Sequence, residues 1–215
     1  MLITFEGIDG SGKSTQAQKL WERLRKEGRD PLLVREPGGT KLSERVRDLL
    51  LDRALHVAPF AELLLFSAAR AQLVVERIRP ALEHERTVIC DRFYDSTTAY
   101  QGAGRQLGDL AWLHDFNRRV TGGLVRHRTY LIDLEPATAL ARRANRHAET
   151  ATRDDRMEAA GIAFQQRVAT AYQILARDEP ARFLPLDGNR SAEALHAQIW
   201  DDFQRLRPRT TEPEV

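Results

Sequence analysis

Residues Gly7-Ile8-Asp9-Gly10-Ser11-Gly12-Lys13-Ser14 follow the apolar run Leu2-Ile3-Thr4-Phe5 with only Glu6 between them. Their spacing is G-x-x-x-x-G-K-[ST], a loop whose backbone N–H groups wrap the phosphates of a nucleotide. Glycine tolerates positive φ and carries no Cβ, so successive amides can converge on one anion. Lys13 is placed to reach the β- and γ-phosphates, and Ser14 to offer its hydroxyl to Mg²⁺. The helix that opens near Lys13 points the positive end of its dipole at the same anion. With Thr15, residues Gly7 to Thr15 form the candidate nucleotide-binding loop. "LITFE" before it reads as a buried strand and "STQAQKLWERLRKEG" after it as an amphipathic helix, which is the context the motif requires. A glycine-rich turn capped by Ser11 is the plain alternative.

A chain of 215 residues suits one α/β domain with a substantial core. A net charge of +2 makes no electrostatic case for a nucleic-acid or membrane partner. Lysine supplies only four of the 33 basic residues, a skew toward guanidinium rather than one basic surface. The lone cysteine, Cys90, sits in "TVIC" as a small buried hydrophobe, and no intramolecular disulfide is possible. With neither a signal-like leader nor a charge-free span, a cytoplasmic protein is expected.

Five β-rich runs alternate with helical patterns: "LITFE", "PLLVRE", "TVICDR", "RTYLIDL" and "RFLPLD". That alternation predicts a five-stranded parallel sheet flanked by helices on both faces, within a single domain over 1–206. Ligands then gather at the C-terminal ends of the strands, where Asp9, Arg35, Glu36, Asp91 and Arg92 lie. Residues 59–84 predict a long helix with Pro59 at its start and Pro80 bending its last turns. Its middle is apolar nearly all round, with Leu73 and Val74 read as outward-facing, so it needs cover on more than one face. Residues 142–156 lack apolar periodicity and read as a mobile, arginine-rich lid between two helices. Residues 207–215 read as a disordered tail.

The acceptor side of the chain decides between phosphate-loop classes. "DRFYDSTTAYQGAGR" at 91–105, "REPGGT" at 35–40 and "FSAAR" at 66–70 follow the phosphate loop in an order that resembles bacterial thymidylate kinase. The resemblance is close over about the first 105 residues and looser beyond. It implies the P-loop kinase fold, ATP with Mg²⁺ as phosphoryl donor, and dTMP as acceptor. It further implies that Arg35 and Arg92 grip the acceptor's 5′-phosphate, where a planar fork can hold two oxygens. Phe66 and Arg70, one helical turn apart, match the pair that stacks on the pyrimidine and donates to its exocyclic oxygen. Ser96, Thr97, Tyr100 and Gln101 fall in the stretch lining the nucleoside, with Tyr100 crowding the 2′ position. Asp9 matches the acidic position near the 3′-hydroxyl and the metal. Asp91 closes its strand as a Walker-B-like acid, which with Ser14 and Asp9 makes up the candidate metal set. The alternatives are ordinary: a surface ion pair for the arginines, core packing for Phe66, loop caps for the aspartates.

Some thymidylate kinases carry an arginine inside the phosphate loop, whereas the bacterial type supplies it from the lid. Asp9, Gly10 and Ser11 leave no base in this loop, so the resemblance implies Arg143, Arg146, Arg153 or Arg156 in that role. "HAETAT" lengthens the lid relative to the family pattern, and Arg156 could instead serve a structural "DRME" turn. Lys13, Asp9, Asp91 and Arg92 complete the candidate catalytic set. An acceptor phosphate is already ionised at neutral pH, so positioning and charge neutralisation replace a strong general base. This agrees with six histidines that lie singly, without metal-ligand spacing. A deoxynucleoside kinase is disfavoured by the paired arginines, and a switch GTPase by the absence of N-K-x-D; a binding-only nucleotide sensor would make no ADP. The apolar girth of residues 59–84 and the resemblance both point to a homodimer. Lys13→Ala is expected to abolish phosphoryl transfer with an unchanged melting temperature, which an ADP-release assay beside a thermal melt checks.

Overall fold

The computed structural model describes residues 1–150 and 155–206; Arg153 and the expected tail at 207–215 lie outside the described residues. Strands β1 (Leu2–Glu6), β2 (Leu32–Arg35), β3 (Val88–Asp91), β4 (Arg128–Asp133) and β5 (Phe183–Asp187) form one parallel sheet in the order β2-β3-β1-β4-β5. β1 is therefore central, and every one of its five residues is buried, as expected of a strand covered on both faces. Register sets Phe5 beside Asp91 and Arg35 beside Asp91, so the candidate residues leave the sheet at one edge.

Alternation in the strands divides the core. Ile3, Phe5, Ile89, Tyr130 and Ile132 face α1 (Lys13–Lys26) and α9 (Ala192–Leu206), which contribute Ala17, Leu20, Leu24, Ile199 and Phe203. Leu2, Val34, Val88 and Cys90 point the other way, against Leu73, Val74 and Ile78. Leu131 and Phe183 join them on that face, packed on Phe164, Val168 and Tyr172 of α8 (Ile162–Asp178).

Between β2 and β3 run α2 (Lys41–Leu51), α3 (Pro59–Leu73), a π-helical segment (Val74–Ile78) and α4 (Arg79–Glu83). Pro59 sits in the first turn of α3, where its missing N–H costs nothing. Pro80 neither donates to the turn before it nor leaves room for a regular carbonyl there. The run accommodates it by widening into the π-segment, a local insertion where a sharp bend is expected from sequence. Leu73 and Val74, read as outward-facing, are buried against the sheet; Val75 is 66% exposed and Phe60 52%. Leu73 closes α3 and Val74 opens the π-segment, and both pack with Leu2, Val34 and Val88 of the sheet.

After β3 come α5 (Tyr94–Thr97), a second π-helical segment (Thr98–Gly104) and α6 (Leu110–Val120); α7 (Pro136–Thr150) follows β4. Residues 142–150 thus continue a helix, where the sequence reads as an aperiodic connection. Alanine and arginine are strong helix formers, and among the described side chains of 142–150 only Arg143 is buried. Among the described residues no helix is long and apolar enough to cross a membrane.

The phosphate loop leaves β1 in a conformation that only glycine adopts freely. Gly7 has φ 138°, and a Cβ there would lie 2.6 Å from the Ile132 carbonyl oxygen. Gly7→Ala is expected to destabilise the fold by about 1–3 kcal/mol, read from the midpoint of urea unfolding at constant slope.

Candidate active site

Glu6 ends β1 with its carboxylate fully buried. It accepts from the backbone N–H of Phe93, the Ser96 hydroxyl and the Tyr172 hydroxyl, each at 2.7 Å. Burial first, then the nearby Asp95, push its carboxyl above the ordinary range. These bonds fasten the segment after β3 to the root of the phosphate loop. Arg92 leaves β3 with φ 71°, a conformation costly for any residue with a Cβ. Its backbone N–H donates to Phe5 O at 2.9 Å, and its guanidinium is held on all sides. Nη1 donates to Gly7 O at 2.9 Å, Ser96 Oγ at 3.1 Å and the Tyr172 hydroxyl at 3.2 Å. Nη2 donates to Asp9 at 2.5 Å and to the Tyr100 hydroxyl at 2.9 Å.

Asp9 joins the two halves. Its Oδ1 accepts from both Arg92 and Lys13, the latter at 3.3 Å, and its Oδ2 accepts from Tyr100 at 3.2 Å. Burial works against the charge on Asp9, but Arg92 and then Lys13 outweigh it and hold the carboxyl well below the usual range. Lys13 is pushed down by its own burial and by Arg92, with Asp9 opposing. Gly10 and Gly12 adopt positive φ, and a Cβ on Gly10 would meet Ala139 O of α7 at 2.6 Å. The loop is therefore packed directly on α7.

A cleft opens beside this network. Asp9, Phe66, Arg70, Arg92, Ser96, Thr97, Tyr100 and Gln101 all line it, so eight of the sequence-predicted residues meet in one place. Arg70 is buried, donating Nε to Glu36 at 2.6 Å, Nη1 to Thr97 Oγ1 at 2.6 Å and Nη2 to Phe93 O at 3.2 Å. Arg35 is not in this cleft. Strand alternation turns it outward, where it pairs with Glu44 at 3.1 Å. It lines a second opening, beside Ser14 and Asp91.

Two residues that sequence reading left without a role line the first cleft. Arg47 enters from α2 and donates to Pro37 O at 3.0 Å. Glu36 follows Arg35 on the opposite side of the strand end; burial, against the pull of Arg70, raises its carboxyl to about 7. Strand alternation was the available signal for Glu36, since Arg35 and Glu36 must point opposite ways.

Ser14 and Asp91 share the second opening, and Asp91 Oδ1 is buried without a hydrogen-bond partner among the described residues. A buried acceptor beside a loop hydroxyl fits a hard cation such as Mg²⁺. No group of three or more His, Cys, Asp or Glu side chains with metal-holding geometry occurs among the described residues, which suits an ion whose remaining ligands are phosphate and water. Asp9, bonded to Lys13, Arg92 and Tyr100, does not line this opening. From α7, Arg143 is buried and donates to Glu158 O at 3.2 Å, and it lines a third opening with Ile8 and Asp9. Arg146 pairs with Glu158 at 3.0 Å on the surface. Arg156 donates to Leu50 O at 2.8 Å and to Glu62 at 2.6 Å, which ties it to α2 and α3.

A family model described as thymidylate kinase matches residues 5–199. A thymidylate kinase of Chlorobium chlorochromatii is 49% identical over 205 residues, covering 93% of this chain and 92% of that protein. One of Deinococcus radiodurans is 48% identical over 200 residues, covering 93% and 94%. The crystal structure of thymidylate kinase from Ehrlichia chaffeensis superposes with a TM-score of 0.75 at 33% identity, covering 95% of this chain and 98% of that one.

Glu36 makes stability depend on pH near neutrality. Its folded pKa of about 7 lies above the ordinary 4.5, so between those values the folded state binds the proton that the unfolded state has released. Stability therefore declines as pH rises through that window and levels off above it. Denaturant unfolding at pH 5 and pH 7.5 should show this decline in the wild type and a shallower one in Glu36→Gln.

Proposed function

The chain belongs to the thymidylate kinase family, and we propose how its own residues carry the transfer of the γ-phosphoryl group of ATP to dTMP, giving dTDP and ADP. The cleft of Phe66, Arg70, Ser96, Thr97, Tyr100 and Gln101 takes the nucleoside of dTMP, and Arg92 faces its 5′-phosphate. Arg47, rather than the outward-turned Arg35, supplies a second cation on that side. What carries this reading is the convergence of an aromatic face, buried cations and carboxamide on one cleft that also touches the phosphate loop through Asp9. ATP lies along Gly7 to Thr15, its terminal phosphates toward Lys13.

Ser14 and Asp91 would hold Mg²⁺, which when bound neutralises charge on the phosphates of ATP. The protein's own contribution is positional. Arg92 and Lys13 share Asp9, so the acceptor-side cation and the donor-side cation are fixed relative to each other before either nucleotide arrives. Among the described residues Arg143, which lines an opening with Asp9 and Ile8, is the lid arginine best placed to meet charge developing between the two phosphates; Arg146 and Arg153 are its alternatives, and Arg156 serves the fold. Residues 142–156 form the lid of one domain spanning 1–206. The reaction belongs to the cytoplasm, where both nucleotides are available.

The enzyme works as a homodimer. α2, α3 and α6 lie side by side and each leaves apolar side chains in water: Leu42 and Leu49, Phe60 and Leu64, and Trp112, whose ring is 6.3 Å from that of Phe60. A self-complementary pairing of this face would cover them. Light scattering at micromolar concentration should give about twice the 24.5 kDa of one chain, and Leu64→Arg should return it to one; a monomeric wild type contradicts the dimer. ADP release measured with ATP, Mg²⁺ and a panel of nucleoside monophosphates should single out dTMP. Arg143→Ala should lower kcat by up to about 10³-fold with little change in substrate affinity, and an unchanged kcat removes Arg143 from the role.

A further inference from the structure

Glu62 lies in α3 one turn before Phe66, and its carboxylate is fully buried. Three segments converge on it. Gln101, from the second π-segment, donates Nε2 to Oε1 at 2.8 Å. Arg105 donates Nε at 3.1 Å and Nη2 at 3.0 Å, and Arg156 donates Nη1 at 2.6 Å. Burial opposes the charge on Glu62, yet the hydrogen bonds of Arg105, Gln101 and Arg156 hold its carboxyl below the usual range.

An ionised carboxylate has no hydrogen to give, so every group that faces it must donate. This removes the ambiguity of a carboxamide, whose oxygen and NH₂ could otherwise exchange places by a half-turn. Gln101 has to present NH₂ to Glu62. Its Oε1 is then turned away, accepts no hydrogen bond among the described residues, and belongs to a side chain lining the cleft with Phe66, Arg70 and Thr97.

We propose that Glu62 is a positioning residue for base specificity: as an acceptor-only partner it locks the Gln101 carboxamide with its oxygen toward the cleft. The inference rests on the reading that this cleft takes the pyrimidine of dTMP. An oxygen at that place pairs with a ring N–H. Thymine carries one at N3, whereas cytosine has a lone pair there and would leave two acceptors facing each other without water. Arg70 reads the neighbouring exocyclic group, so the two side chains select donor and acceptor at adjacent atoms of the ring. Replacing Glu62 by a group that can also donate frees Gln101 to turn over, and the N3 readout becomes degenerate.

The test compares dTMP with 5-methyl-dCMP, which keeps the methyl group and differs only at N3 and the 4-substituent. In Glu62→Gln the ratio of kcat/KM for dTMP over 5-methyl-dCMP should fall by roughly 10- to 100-fold, the size expected of one unpaired buried polar group, with the change carried by KM. A folded Glu62→Gln protein with the wild-type ratio overturns the proposal. If that variant does not fold, the wild type decides by hydrogen exchange of the Gln101 side-chain amide, assigned by its absence from Gln101→Leu. Slow exchange in the free protein, little altered by dTMP, supports an amide held by Glu62. Fast exchange that dTMP protects overturns it, because the NH₂ then faces the cleft. Turnover of dTMP by the wild type tests the acceptor reading separately: its failure would remove that reading and leave the geometry of Glu62 and Gln101 as found.

Discussion

The ion pair of Arg92 and Asp9, at 2.5 Å, is the contact on which the rest of the site depends. Arg92 takes an unfavourable backbone conformation at the end of β3, Asp9 sits in a loop of glycines at the end of β1, and neither would be fixed alone. Their pairing is supported from below by Glu6 and Tyr172, from the side by Tyr100, and on the phosphate side by Lys13. Both charges are half-buried, at 13% and 22% side-chain exposure, so each loses part of its hydration. A single pair repays that poorly, but here every polar atom of Asp9 is used and Arg92 makes five hydrogen bonds, so the network is satisfied and stiff. Its yield is geometric: the ends of two adjacent strands, carrying Arg92 on one and Asp9 with Lys13 beyond the other, are held in one arrangement.

A second carboxylate, Glu62, gathers its own set of donors. Glu62 draws Gln101, Arg105 and Arg156 together, tying α3 to the end of the second π-segment and to the turn at Arg156. Arginine is suited to both centres, since its planar fork serves several acceptors and stays charged when buried. The preference for arginine over lysine, puzzling as a surface property, has this use in the interior. Lys13 is the exception, and its compact ammonium is what a phosphate loop requires.

Much of this was legible in the sequence because periodicity and motif spacing are local. The five strands, the phosphate loop, the buried Cys90 and the pairing of Phe66 with Arg70 across one helical turn follow from short stretches read by themselves. What was not legible depends on register and on long-range partners. Arg35 was read into the acceptor site from its motif, yet the pleat of β2 turns it to solvent and delivers Glu36 to the cleft instead. Leu73 and Val74 were read as outward because residues 59–84 are apolar nearly all round, which does not tell which side meets the sheet; both pack with Leu2, Val34 and Val88. Residues 142–150 lack an apolar stripe and still form a helix, because alanine and arginine propensity suffices where little burial is needed. Glu62 carried no local signal at all; its meaning comes from Gln101, Arg105 and Arg156, which lie 39 or more residues away.

The central claim is that Arg92, besides facing the acceptor phosphate, fixes both halves of the site through Asp9. Arg92→Lys keeps the charge and loses the fork. Calorimetric titration of this variant with dTMP and, separately, with a non-hydrolysable ATP analogue measures the claim directly. The account predicts that both affinities fall, because a lysine cannot hold Asp9 against Lys13 while also reaching Gly7 O, Ser96 and Tyr100. A variant that binds the ATP analogue as the wild type does, and loses affinity for dTMP alone, contradicts it.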